Sequence, residues 1–297
     1  MQIIQVRENT FCIDTGMTYI PFYRVSENNI VMIDTGLAKG ERGKLDRLLE
    51  ENSFNIVGII CSHAHIDHIG NASYFKEKYK CPVAMSETEA FICSSIINLK
   101  MYYCDQSLEE IEEYFGHMVC KVDIVIKEND YIVNIAGSNF KILHTPGHSA
   151  AHICITTPDD VSYLGDTLIS YEVMKGAKMP YAFILKEDLK SKEKLHSLKS
   201  IKYIVAHKGI YDNITELIED NINFYKDRAN KICELIDKPM TKEDVIKKIV
   251  KEWKIGIRNI RKYIVIERML KSYIEYLNET KKIEIILEDG FLKYSKL

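Results

Sequence analysis

Six residues constrain this chain more than any others: His63-Ala64-His65-Ile66-Asp67-His68, three imidazoles and a carboxylate in the spacing H-x-H-x-D-H. The run before them, Ile56-Val57-Gly58-Ile59-Ile60, is short and apolar and reads as a buried strand. The motif therefore sits where a strand leaves a sheet, a usual place for a site in a layered α/β protein. In an extended segment His63 and His65 point the same way, because side chains alternate with period two. The turn that follows aims Asp67 and His68 at a second point nearby. Neutral imidazole and carboxylate are ligands that borderline-soft divalent metals such as zinc prefer. One loop of this kind can supply two adjacent metals; the competing reading is a solvated histidine-rich loop.

Two metals need more ligands than one loop holds, and candidates recur downstream in the same grammar of apolar run, tight turn and ligand-type residue. Ile142-Leu143-His144-Thr145-Pro146-Gly147-His148 runs into a Pro-Gly turn with a histidine after it. Val161-Ser162-Tyr163-Leu164-Gly165-Asp166 ends in Gly-Asp, and Tyr203-Ile204-Val205-Ala206-His207 ends in a histidine.

This series resembles the metallo-β-lactamase superfamily over about residues 1–210. Ile33-Asp34-Thr35-Gly36 matches the family's first motif, H-x-H-x-D-H its second, and His148, Asp166 and His207 its third, fourth and fifth. The resemblance implies that His63, His65 and His148 hold a first metal, that Asp67, His68 and His207 hold a second, and that Asp166 bridges them. It implies two zinc ions, with iron or manganese as alternatives. Asp34 is by the same resemblance a supporting residue and not a ligand. The implied fold is α/β (α+β): an αββα sandwich, with the site at one edge, followed by a small helical domain with a β-hairpin. Periodicity alone gives only mixed α/β.

A length of 297 residues allows one large core plus a small second domain. The expected division is 1–212 for the catalytic domain and 213–297 for the tail. Short strands are expected over 2–6, 10–14, 18–25 and 29–34, and a helix over 37–51 with Leu45, Leu48 and Leu49 inward. Residues 86–120 read as a helical insert between the second and third motifs, with a helix capped by Ser107. In the superfamily such inserts often wall the substrate pocket, and this one carries Leu99, Met101, Tyr102 and Tyr103. His117 and His196 lie outside every motif, and His144 and His152 are expected as structural partners. Cys61 reads as an apolar strand residue despite its closeness to His63.

In the tail, Thr241-Lys242-Glu243-Asp244 opens a helix as a capping box. A long helix is expected from about Arg258 to Asn278, with Ile260, Tyr263, Ile264, Leu270, Tyr273, Ile274 and Leu277 inward. Asp289-Gly290 between two alternating runs signals a hairpin. Helix, helix, helix, hairpin resembles a winged-helix module. Residues 238–297 hold 15 Lys and Arg against nine Asp and Glu, in a chain of net charge −3. A basic winged helix can contact nucleic acid, although the preferred reading is a packing domain or a homodimer interface with an ordinary Lys-rich surface.

The N-terminal residues lack a basic-then-apolar signal segment, and no run of about 18 apolar residues appears. Eight scattered cysteines without C-x-x-C suggest reduced, mostly buried thiols in a cytoplasmic protein with no membrane partner. The function expected first is a metal-dependent hydrolase acting on a small-molecule thioester, ester or lactone, similar in ligand set to the hydroxyacylglutathione hydrolases. Metal coordination would make a hydroxide nucleophile available at neutral pH, with Asp67 orienting it as the catalytic carboxylate. No G-x-S-x-G elbow occurs, and none is required. The alternatives are a metal-dependent endoribonuclease using the tail to hold RNA, and a non-catalytic regulator that binds a ligand or nucleic acid. Lys175, nine residues after Asp166, could meet a substrate carboxylate; the preferred reading is a solvated lysine.

Overall fold

The computed structural model describes residues 1–297. Seven strands build the first sheet in chain order: β1 (Gln2–Arg7), β2 (Thr10–Asp14), β3 (Tyr19–Arg24), β4 (Asn29–Ile33), β5 (Asn55–Ile60), β6 (Val83–Ser86) and β7 (Ile124–Ile126). The first four pair antiparallel through short turns, whereas β4 to β7 are parallel. Parallel neighbours need a crossover. Helices Arg42–Glu51 and Ala72–Tyr79 and the whole insert supply these crossovers. The second sheet contains β8 (Ile132–Ile135), β9 (Ser138–His144), β10 (Ile153–Thr156), β11 (Val161–Tyr163), β12 (Lys202–Val205) and β13 (Gly209–Tyr211), again neighbouring in chain order.

The period of two decides which side chains enter which layer. In β4, Val31 and Ile33, with Ile60 of β5 beside them, face the second sheet, where they meet Phe140, Ile153, Tyr163 and Ile204. Ile30 and Met32, their alternates, face outward against Leu45, Leu49 and Phe75 of the helices. On the second sheet, Cys154 and Val205 face outward against Leu185, Leu189 and Leu217. Each large apolar side chain, fully buried, contributes about 1.5–3 kcal/mol. The result is the expected αββα sandwich, with a dry layer between the sheets.

Helix Arg42–Glu51 starts five residues later than the periodicity suggests. Gly36 and Gly40 have φ of +68° and +86°, and the Glu41 carboxylate accepts the Leu37 N–H at 2.8 Å. Asn71 Nδ2 donates to the Thr35 and Leu37 carbonyls at 2.8 and 2.9 Å. These bonds hold 37–41 as a turn against the H-x-H-x-D-H loop, so the backbone there is unavailable to a helix.

After residue 212 come helices Thr215–Leu235, Lys242–Glu252 and Ile260–Glu279, then the hairpin β14 (Ile283–Glu288) and β15 (Phe291–Lys296). Thr241 and Asp244 form the expected capping box. Asp289 and Gly290 both have positive φ, as a two-residue type I′ turn requires. Leu270, Tyr273, Ile274 and Leu277 are buried, but Ile260 is 78% exposed. It opens the helix beyond the packed layer, where no neighbour covers it. The tail shares one apolar cluster with the outer face of the second sheet, running from Cys154 to Ile283. Two of its phenols fix the loop before helix Leu185–Lys194: Tyr273 Oη donates to the Pro180 carbonyl at 2.9 Å and Tyr225 Oη to the Tyr181 carbonyl at 3.2 Å. No helix is long and apolar enough to cross a membrane.

Candidate metal centre

Four strand ends deliver the ligand-type residues to one edge of the sandwich. β5 stops at Ile60, and the chain bends at Ser62 and runs on to an extended His65, which opens the one-turn helix Ile66–Ile69. His63 Nε2 and His65 Nδ1 therefore meet at 2.9 Å. The helical turn swings Asp67 and His68 to a second point, with His68 Nε2 3.7 Å from Asp67 Oδ2. The loop after β9 brings His148, whose Nε2 lies 3.1 Å from His65 Nδ1. Asp166, after β11, stands between the two groups: its carboxylate is 3.3 Å from His148 Nε2, 3.5 Å from His68 Nε2 and 3.4 Å from His207 Nε2. His207, after β12, reaches Asp67 Oδ2 at 3.3 Å.

All seven expected residues thus converge, in two groups. His63, His65, His148 and Asp166 form one, and Asp67, His68 and His207 the other, each with potential ligand atoms within 4.8 Å of one another. Two atoms test whether metals fit this arrangement. His68 Nε2 and Asp166 Oδ1 are buried without any hydrogen-bond partner. An orphaned buried polar atom is costly, and two of them facing one space suit a cation there. The donor set of imidazole and carboxylate suits zinc, iron or manganese.

Supporting residues fix several of these imidazoles. Asp34, at φ +61° beneath the loop, accepts hydrogen bonds from Ser62 N, Ser62 Oγ, His68 Nδ1 and Tyr163 Oη at 2.7–2.8 Å. The Asp34–His68 bond leaves His68 Nε2 facing the centre, as carboxylate partners of ligating histidines do. Ser62 Oγ lies 3.0 Å from His63 Nδ1. His152 accepts the Asp166 N–H on Nε2 at 3.1 Å, while its Nδ1 meets Thr145 Oγ1 at 2.9 Å. The His148 loop is held by Phe183 and Ile184, whose N–H groups donate to the Gly147 carbonyl at 2.8 and 2.9 Å.

Burial and charge set the protonation. Burial pushes His65 down to about 3 and holds His63 and His148 well below the ordinary histidine value. The Asp166 carboxylate lifts His207 to about 10. Burial alone would lower His68, but Asp166, Asp67 and Asp34 together raise it well above 6.5. Burial pushes Asp67 and Asp166 upward, and the neighbouring histidines outweigh it and lower both. At pH 7 the metal-free site therefore carries a proton on His207, and the three carboxylates favour the protonated form of His68. A cation must displace such protons, so affinity for zinc is expected to rise with pH as these groups titrate. Titration calorimetry in buffers of different ionisation enthalpy should show proton release on loading at pH 7; loading without proton release would refute this picture.

Some contributors are not legible in the sequence. Glu89 is fully buried in the insert, and its carboxylate accepts the Ala64 and Ala151 N–H groups at 2.8 and 2.7 Å, tying the first two ligand loops together. Tyr102 Oη lies 3.1 Å from His65 Nε2, leaving His65 Nδ1 for the centre. Arg268 reaches back from the tail to the ring of Tyr102. Nothing in local sequence marks Glu89 or Arg268, since each acts across a distance set by folding. Other expected residues lie elsewhere: Cys61 is in the apolar core, Lys175 is exposed, His144 bonds the Asp130 carbonyl at 2.9 Å, and His196 pairs with Glu219. The eight cysteines are all free and only Cys104 is exposed.

A cavity of about 390 Å³ opens on His148 and Asp166 and is walled by apolar residues such as Ile169, Met179 and Ile266, with Lys178 and Lys262 among its lining. A second, of about 770 Å³, lies beyond Tyr181 between the insert, the tail helix and the hairpin.

Comparison with known proteins agrees with this geometry. The family model described as the metallo-beta-lactamase superfamily matches residues 13–207. The hydroxyacylglutathione hydrolase GloC of Haemophilus influenzae is 30% identical over 148 residues, 48% of this chain and 62% of that protein. The probable metallo-hydrolase YqgX of Bacillus subtilis is 26% identical over 154 residues, 50% of this chain and 64% of that protein. The matched stretch thus spans less than two thirds of either relative. Among solved structures, a metallo-beta-lactamase family protein of Thermus thermophilus superimposes with a TM-score of 0.70 at 18% identity, covering 94% of both chains. A beta-lactamase domain protein of Burkholderia ambifaria gives 0.71 at 12% identity, covering 100% of this chain and 95% of the other. At these identities the structural likeness speaks for the fold, and it extends through the tail.

Proposed function

The chain belongs to the metallo-β-lactamase superfamily, and from that premise we propose that it is a binuclear metal-dependent hydrolase of a small thioester, ester or lactone. The observation that carries the reading is the pair of ligand groups meeting at Asp166, with a largely apolar cavity opening directly on them. In this reading His63, His65 and His148 hold one metal, Asp67, His68 and His207 the other, and Asp166 both. Two zinc ions bound there would supply a Lewis acid and a water nucleophile at neutral pH. Asp67, partly open at the mouth, would hold the second metal and orient the hydroxide. The apolar wall at Ile169 and Met179 excludes bulk water from the scissile bond.

The thioester is preferred because a relative's name specifies hydroxyacylglutathione hydrolysis, and because the cavity is small and apolar. The rival reading is an endoribonuclease, favoured by the basic tail in its helix, helix, helix, hairpin order. We further propose a division at about residue 212, the tail serving as one wall of the substrate space. The experiment is to load the full-length protein with zinc and assay an S-acyl thioester, a lactone and a structured RNA. Zinc-dependent thioester or lactone cleavage with intact RNA is the expected result. RNA cleavage alone would replace the reading with the endoribonuclease, and zinc binding without any turnover would leave a binding protein.

A further inference from the structure

The smaller cavity meets the ligand groups directly, because His148 and Asp166 are both part of its wall. Away from them the inner wall is mostly carbon. Ile169, Met179, Tyr225 and Ile266 are buried there and belong to the apolar cluster that the tail shares with the second sheet. The two lysines of the lining, Lys178 and Lys262, are exposed and so belong to the solvent rim. A cavity that recognises a polar ligand keeps a few hydrogen-bonding groups aimed inward. Here those groups are bonded within the fold. Ile169 donates its N–H to Asn221 Oδ1 at 2.9 Å, and its carbonyl accepts from Asn221 Nδ2 at 3.0 Å. The Pro180 carbonyl accepts from Tyr273 Oη at 2.9 Å and the Tyr181 carbonyl from Tyr225 Oη at 3.2 Å. That last bond also commits the Tyr225 hydroxyl. The Ala177 N–H donates to the Val173 carbonyl at 2.9 Å.

A polar group that left water for this wall would lose its hydration and find few replacement bonds, which disfavours it. A hydrocarbon group has no such bonds to lose and gains by removing its surface from water. Size sets a bound on that group. The cavity measures about 390 Å³. At roughly 30 Å³ for a group the size of water, it holds on the order of a dozen non-hydrogen atoms. With the reacting carbonyl and its sulfur seated at the metal end, room remains for about six to ten carbons.

We propose that this cavity is a subsite for one hydrocarbon arm of the substrate, straight-chain or aromatic, of about six to ten carbons. This rests on the hydrolase reading and names its substrate class: a thioester or ester with one apolar arm of medium length. In the reaction water adds to the carbonyl carbon and the carbon–sulfur bond breaks. A carboxylic acid and a thiol result, the thiol sulfur taking a proton that the water gave up. The arm can belong to either product, since an acyl chain and an alkyl thiol present the same chemistry to the wall. Ile266 of the tail and Val173 of helix Tyr171–Gly176, both in the lining, are then specificity-determining residues.

The test has two arms, both on zinc-loaded full-length protein with metal content matched between variants. The first measures kcat/KM along two series: N-acetylcysteamine thioesters of straight-chain acids from acetate to dodecanoate, and S-acetyl thioesters of straight-chain thiols from ethanethiol to dodecanethiol. In at least one series each added methylene is expected to raise kcat/KM by about two- to fourfold, the scale of burying one methylene. The gain should level off near about ten carbons, and the series that rises identifies the arm. Ile266→Trp and Val173→Trp each fill the cavity and should lower the eight-carbon to two-carbon ratio by about tenfold or more. Val173 lies on a helix with no buried residue, so its replacement carries the test if Ile266→Trp overpacks the core and lowers Tm. A flat profile in both series, or a gain that survives the filled cavity, would overturn the proposal. The second arm measures binding of acetohydroxamate and octanohydroxamate, zinc-chelating probes, by calorimetry. The longer probe is expected to bind on the order of 10²-fold more tightly, and Val173→Trp should remove most of that difference. If no thioester is cleaved while the binding difference appears and is lost on filling, the hydrolase reading falls and the apolar subsite stands. Turnover without any dependence on chain length gives the reverse.

Discussion

Replacing His63 with alanine is expected to empty the first group of ligands and to lower zinc-dependent hydrolysis by on the order of 10³-fold or more. The scale follows from what a bound metal does to water, since its pKa falls from about 15.7 to about 7 on coordination. His63 is fully buried, so no solvent molecule replaces the imidazole without rearrangement. Its Nε2 meets His65 Nδ1, and the removal leaves His65 and His148 facing a gap. Elemental analysis should show a loss of up to half the zinc, while circular dichroism reports an unchanged fold. Unaltered metal content and activity in that variant would sink the assignment of this loop as the metal-binding element.

The second large effect is expected at a residue that touches no metal. Gly147 has φ of +131°, a conformation that L side chains rarely adopt, and an added Cβ would collide with the backbone N and Cα of Asp188. Those atoms cannot step aside. They belong to helix Leu185–Lys194, anchored by the buried Asp188–Lys192 pair and by Ser191 Oγ, which donates to the Pro146 carbonyl at 2.6 Å. Gly147→Ala is therefore expected to destabilise the fold by roughly 2–5 kcal/mol, combining backbone strain with overpacking. It should also displace His148, so zinc affinity falls together with Tm. Thermal unfolding and zinc titration check this, and a variant with wild-type Tm and zinc content would show that the loop has slack that the packing does not suggest.

Gly147 also illustrates what a reader of the sequence meets and misses. Thr145-Pro146-Gly147-His148 announces a turn followed by a ligand-type side chain, and the turn is there. That the glycine is needed because a helix well downstream presses its backbone against it is not written locally. Helix Arg42–Glu51 shows the same limit from the other side. Its apolar stripe at Leu45, Leu48 and Leu49 is legible and is buried, but its expected first turn is lost to side-chain bonds from Glu41 and Asn71 that the periodicity cannot register. Ile260 departs from expectation for a related reason. Amphipathic spacing fixes which face of a helix is apolar, and not how far along the helix a neighbour extends.

Local sequence was enough for the strand ends that build the site, since short apolar runs closed by tight turns carry their own period and punctuation. It was also enough for the residues that meet there. His63, His65, Asp67, His68, His148, Asp166 and His207 all follow the ends of such runs, and neighbouring strand ends lie at one edge of a sheet. What surrounds them came only from the packing of separate layers. Glu89 lashes two loops together, Tyr102 holds the far side of His65, and Arg268 arrives unpaired from the last helix. Such contacts join residues dozens to hundreds of positions apart, and neither propensity nor spacing records them. The ligand-type residues were therefore written in short motifs, whereas the cavities beside them emerged only when the tail packed against the insert.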